Sequence, residues 1–97
     1  MKDAAGDMIE TLEQVRLLVG KSAHSPWSTQ GPRALIQTLE REIACLRARG
    51  RLRWFGKQRL KLLFAPAGDL QEMSISGGWG DEFLTLSSRV DAALENL

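Results

Sequence analysis

The sequence predicts a mainly α-helical protein, a small four-helix bundle with one short extended or strand segment. Four stretches repeat apolar residues at the three-to-four spacing of a helical face, and one stretch rich in Pro and Gly lacks that spacing. The chain has 97 residues, of which 43% are hydrophobic and 26% charged. This is the size and composition of one soluble domain, so we expect residues 1–97 to form a single helical domain.

The first helix is predicted to begin near Asp7 and to run to about Val19. Asp7 and Glu10 have the spacing of a capping box, and an apolar stripe follows them. Residues 22–31 are then rich in Ser, Gly and Pro, which is typical of a loop. We expect Trp27, inside this loop, to tuck into the core.

Two further helices are predicted in the centre of the chain. Pro32 suits the first turn of a helix, and apolar residues at helical spacing follow it. The second helix should therefore span about residues 32–48 and end at Gly50. Gly56 predicts a second break, before a short third helix over about residues 57–64.

The pattern changes after the third helix. Between Pro66 and Gly78 the apolar residues are spaced irregularly among polar ones, which favours extended structure or a short strand.

A last helix is predicted over about residues 81–95. Trp79 lies between glycines just before this helix and should be structural. We expect it to pack on Leu84 or Phe83, with Gly80 at the cap. The stripes of the second and last helices should meet in the core, which would bury Leu39, Ile43, Phe83, Leu86 and Val90 together.

The net charge of +1 conceals three unlike segments. Residues 1–30 carry three basic and four acidic residues, residues 31–65 nine and two, and residues 66–97 one and six. The basic and acidic blocks can pair with each other inside the fold or face outward as a bipolar surface. The sequence leaves both arrangements open.

Cysteine and histidine, which commonly catalyse reactions or bind metals, are scarce in this chain. The single cysteine, Cys45, lies in the apolar second helix, and the single histidine, His24, lies in the predicted loop. An internal disulfide is therefore excluded, and no Cys/His metal cluster is expected. Cys45 is interpreted as a small side chain of the helix rather than a nucleophile.

The glycines around Trp79 suggest a tight turn rather than a phosphate-binding loop, since the Lys-Ser/Thr of that motif is missing. Four acids flank this turn: Asp69, Glu72, Asp81 and Glu82. Helix capping and solubility explain these acids better than acid–base or metal chemistry does. We therefore predict no catalytic residue, no metal site and no cofactor.

Residues 47–61 are the best candidate for a binding segment. They include seven basic residues around Trp54 and Phe55, and no acid. Phosphate attraction and aromatic stacking would suit single-stranded nucleic acid. The alternative, favoured by an overall pI of about 7.9, is that Trp54 and Phe55 are core anchors at a helix junction. The arginines would then neutralise the acidic block or stay solvated.

One segment has a distinctive order of residues. It contains Leu63, Phe64, Pro66, Gly68, Leu70 and Glu72, followed by Gly78, Trp79, Gly80 and Phe83. This order resembles a family of small uncharacterised bacterial proteins, in which Leu-Phe-x-Pro-x-Gly-x-Leu-x-(Glu/Asp) precedes Gly-Trp-Gly and a final helix. The resemblance covers about a fifth of the chain. It implies a bacterial, single-domain, soluble protein, and it supplies no activity, cofactor or catalytic residue.

Together these observations predict a small bacterial protein-binding module, in the manner of an immunity or antitoxin-like inhibitor that occludes a partner enzyme such as a toxin. Trp and Arg are the most effective residue types at interfaces. The predicted contacts are Trp27, Arg51, Arg53 and Trp54. The runner-up is a nucleic-acid-binding or regulatory protein that uses residues 47–61, and an enzyme that uses the four acids comes third.

The predicted location is the cytoplasm. The longest apolar runs are far shorter than the roughly 20 residues that cross a bilayer, so no membrane partner is expected. The first residues also lack the basic-then-apolar order of a secretory signal. The sequence leaves the oligomeric state open.

Overall fold

The computed structural model describes residues 3–21, 32–65 and 68–97 of the chain. These residues form five α-helices and no strand. The helices are α1 (Ala4–Lys21), α2 (Pro32–Arg49), α3 (Trp54–Leu63), α4 (Asp69–Gly77) and α5 (Gly80–Glu95). The mainly helical fold is confirmed, but a fifth helix stands where the extended segment was predicted.

The first helix begins earlier than the sequence predicts. The backbone N–H of Gly6 donates to Asp3 Oδ1 at 2.7 Å, so Asp3 caps α1. Asp7 and Glu10, the predicted capping box, lie inside α1 and face Arg89 of α5. Arg89 Nη2 is 3.0 Å from Asp7 Oδ1 and 3.7 Å from Glu10 Oε1. The two acids therefore link α1 to α5.

The link from α2 to α3 contains one predicted break and lacks the other. Gly50 ends α2 in a left-handed conformation with φ of 71°, and its N–H donates to the Leu46 carbonyl at 2.7 Å. The predicted break at Gly56 is wrong, since α3 begins at Trp54 and continues through Gly56. Gly56 is buried, and a Cβ on it would collide with the carboxylate of Glu42 in α2. Close packing between helices, rather than a turn, requires this glycine.

Residues 69–77 form a helix, so the predicted extended segment is wrong. Leu70 and Met73 are three positions apart and both are fully buried, which is helical spacing. The nine-residue helix ends at Gly77, and the residue that caps it, Gly78, has a left-handed φ of 80°. A helix this short is unstable alone, and the burial of its two apolar side chains stabilises it.

Trp79 joins α4 to α5, and its predicted burial is confirmed. It is 4% exposed, and its ring meets that of Phe83 edge to face with the centroids 6.2 Å apart. The Phe83 N–H donates to the Trp79 carbonyl at 2.9 Å. Trp79 is therefore the N-cap residue of α5, and Gly80, the predicted cap, is the first residue of the helix.

The five helices share one hydrophobic core that is organised around α1. Helix α1 packs against both α2 and α5, and α4 packs on α5. The predicted core residues Leu39, Ile43, Phe83, Leu86 and Val90 are all buried in this core. The stripes of α2 and α5 meet through α1, because each of them contacts α1 more extensively than it contacts the other.

Candidate functional site

Three of the four predicted contact residues meet where α2 leads into α3. Arg51 and Arg53 lie in the link between the two helices, and Trp54 is the first residue of α3. All three side chains are exposed. The fourth predicted contact, Trp27, lies outside the described residues.

The rings of Trp54 and Phe55 are exposed side by side. Trp54 is 65% exposed and Phe55 72% exposed. Their centroids are 5.0 Å apart and their planes are 80° apart. The alternative in which both rings are core anchors is therefore wrong. Adjoining exposed apolar side chains mark interaction surfaces more often than isolated ones do.

Leu62 extends this apolar surface along α3. It follows Phe55 by seven residues, which is two helical turns, and it is 74% exposed. Trp54, Phe55 and Leu62 together are named the α3 face. The sequence groups Leu62 with Leu60 and Leu63 in one apolar run, but those two are buried. The run itself indicates that one of its leucines is exposed, because adjacent residues of a helix cannot all point to one side.

The opposite side of α3 is fastened to α2. Glu42 of α2 is 4% exposed, and its carboxylate accepts a hydrogen bond from Arg59 Nη1 at 2.9 Å. The same carboxylate lies against Gly56, where no side chain intervenes. Leu60 and Leu63 are buried in the core. The α3 face is therefore presented by a helix that is held from behind.

The basic segment divides into paired and unpaired cations. Arg47 pairs with Glu13 of α1, and Arg59 pairs with Glu42 of α2. The cations without an ion pair to any described residue are Arg49, Arg51, Arg53, Lys57 and Lys61. All of these except the half-buried Lys57 are exposed, so this part of the basic block faces solvent.

Among the described residues, the other candidates do not assemble into a metal site. Within the described part of the chain, no three His, Cys, Asp or Glu side chains lie close enough to hold a metal ion, so the four acids of α4 and α5 form no such site. Cys45 is half-buried, with Sγ 3.4 Å from the Arg51 carbonyl. His24 lies outside the described residues. None of the helices in the described ranges combines the length and the apolar character needed to cross a bilayer.

Comparisons of this chain with protein-family models, curated proteins and solved structures find no match. The resemblance of residues 63–83 to a family of small bacterial proteins therefore stays a prediction.

Proposed function

We propose that the chain is a protein-binding module and that the α3 face, with Arg51 and Arg53 beside it, contacts the partner. The exposed pair of Trp54 and Phe55, on a helix held from behind, is the observation that carries the proposal. Trp and Arg side chains contribute large binding energies when a partner covers them. An aromatic ring has few rotatable bonds, so its burial costs little conformational entropy.

The charges near the α3 face favour an acidic partner. Arg51, Arg53 and Lys61 are exposed, and none is in an ion pair with a described residue. A second copy of this chain would bring the same cations together across a two-fold interface, which like-charge repulsion opposes. A different protein, with carboxylates around an apolar pocket, complements the surface better.

The finer role that we propose is inhibition, in the manner of a bacterial immunity or antitoxin-like protein that occludes a partner enzyme. A helix that is held from behind and carries aromatic anchors and cations suits the entrance of an acidic active site, because little reorganisation of the helix is needed on binding. Trp27 remains a proposed contact of the same partner.

The proposal is tested with the tagged full chain and two double variants. W54S/F55S removes the aromatic pair, while L17S/I75S removes exposed apolar side chains on α1 and α4, of which Leu17 is 57% and Ile75 64% exposed. A protein that co-purifies stoichiometrically with the unmodified chain is isolated, and its affinity for each variant is measured by calorimetry. We expect W54S/F55S to weaken binding by at least about 30-fold and L17S/I75S by less than about 3-fold.

Salt separates a protein partner from nucleic acid, the runner-up. Between about 50 and 200 mM salt the protein complex should associate more slowly and keep most of its affinity. Affinity for nucleic acid would fall by orders of magnitude over this range. Submicromolar binding to a single-stranded oligonucleotide at physiological salt, abolished by Arg51→Glu with Arg53→Glu and without any protein partner, would overturn the proposal. An equal loss of the partner in both serine variants would also overturn it.

A further inference from the structure

A basic cavity lies where α2 leads into α3. Its volume is about 290 Å³, and it is lined by Arg49, Arg51, Leu52, Arg53, Lys57 and Leu97. Four of these six residues are basic and none is acidic. The cavity between α1 and α2 differs, because glutamates and arginines both line it.

No described side chain neutralises the arginines of this cavity. Arg49, Arg51 and Arg53 form no ion pair with a described residue, and the two glutamates that reach the basic segment pair with other arginines. Lys57 lines the cavity, and its Nζ donates a hydrogen bond to the backbone oxygen of Leu97 at 2.6 Å. Like charges this close in sequence and space repel, so a bound anion would stabilise the arrangement.

The N-terminus of α3 adds to the positive potential of the cavity. Arg53 is the N-cap residue, its side chain makes no capping hydrogen bond, and the first turn contains no acid. The Lys57 N–H donates to the Arg53 carbonyl at 3.0 Å. The N–H groups before Lys57 in α3 have no acceptor within the helix. The positive end of the helix dipole therefore lies beside the arginines.

We infer that this cavity binds a diphosphate group, either free or as part of a nucleotide. Three guanidinium groups that pair with no described residue call for an anion with several negative charges, which a single carboxylate does not carry. A guanidinium group donates two parallel hydrogen bonds to phosphate oxygens, so adjacent arginines suit two linked phosphates. The volume is at the small end of the range for ligand pockets, which fits a diphosphate better than a larger ligand. Binding of diphosphate needs no protein partner, and it uses Arg51 and Arg53, which the partner proposed above would also contact.

Calorimetric titration of the full chain with inorganic diphosphate, at about 150 mM salt, tests this inference. R51Q/R53Q removes two arginines of the cavity, and R33Q/R41Q removes two exposed arginines of α2 outside it. Both variants lower the net charge by the same amount. We expect one diphosphate per chain, with affinity at least about 10-fold weaker in R51Q/R53Q and changed less than about 2-fold in R33Q/R41Q.

A second titration, with adenosine diphosphate, distinguishes the two sources of the group. A nucleotide whose base stacks on the indole should bind at least about 10-fold more tightly than inorganic diphosphate, and Trp54→Ala should remove this gain in affinity. Equal affinity indicates free diphosphate. Circular dichroism of each variant checks that it is folded. The absence of saturable binding, an equal loss in both arginine variants, or a preference for single-stranded oligonucleotide over both diphosphates would overturn the inference.

Discussion

Replacing Phe83 with alanine should destabilise the protein strongly. Phe83 is 2% exposed in the core. Its ring lies nearly parallel to that of Phe64, with the centroids 6.1 Å apart, and the ring of Trp79 meets it edge on at 6.2 Å. The substitution therefore removes a buried ring and also two aromatic contacts that hold α5 to the segments before it.

The expected cost follows from these contacts. Replacing a buried Phe by Ala typically costs about 3–5 kcal/mol, because the transfer energy of the ring is lost and a cavity remains. An aromatic pair contributes about 0.5–1.5 kcal/mol beyond its buried area. Since Phe83 lies between two rings, we expect a loss of about 4–5 kcal/mol. Small domains have a free energy of unfolding of only about 5–15 kcal/mol, so this is a large fraction of the total.

Urea denaturation followed by circular dichroism measures the effect. With a slope of about 1.5 kcal/mol per molar urea, the midpoint should fall by about 3 M, or the variant should be unfolded without urea. Leu84→Ala is the matched control, because Leu84 is the next residue of α5 and is 61% exposed. It should change the free energy of unfolding by less than about 0.5 kcal/mol. An unchanged midpoint for Phe83→Ala, or an equal fall for Leu84→Ala, would refute the packing of α5.

Three further predictions concern residues that stabilise the fold. Arg59→Gln should lower the free energy of unfolding by about 1–3 kcal/mol in urea, because Glu42 stays buried without its partner, and adding Glu42→Gln should recover part of the loss. Gly78→Ala should cost about 1–2 kcal/mol because of the positive φ, whereas Gly80→Ala, in open space, should leave the Tm nearly unchanged. Trp79→Ala should lower the Tm by about 15 °C or more, and an unaltered Tm would contradict its structural role.

Local chemistry explains why most helices were predictable. A helix that packs on a core must repeat apolar residues at its own period, so α2 and α5 are visible in the sequence. Gly50 also acts locally, since only glycine readily adopts its left-handed conformation at the end of α2.

The errors lie where distant residues override local preference. Gly56 disfavours a helix by its intrinsic propensity, yet it lies inside α3 because the Glu42 carboxylate occupies the space of a side chain. Helix α4 has only nine residues, too few for a clear periodic pattern. Leu70 and Met73 are buried in the core, and their burial favours the helix over an extended segment.

The sequence predicts which residue types form the candidate surface, but not which of their side chains are exposed. Arg51, Arg53 and Trp54 were identified because basic and aromatic residues cluster in one segment. Whether Trp54 is a core anchor or a contact residue depends on which side of α3 faces the core. Leu62 was missed for the same reason, since the sequence does not show which leucine of an apolar run points outward.

The sequence by itself determined the helical class, the positions of α2 and α5, and the concentration of basic charge in residues 47–61. These properties follow from spacing and composition along the chain. Only the tertiary structure decided which cations remain unpaired and which aromatic rings stay exposed. The physical reason is that burial and ion pairing depend on residues far apart in sequence: Arg47 finds its carboxylate 34 residues away, and Arg59 finds its own 17 residues away.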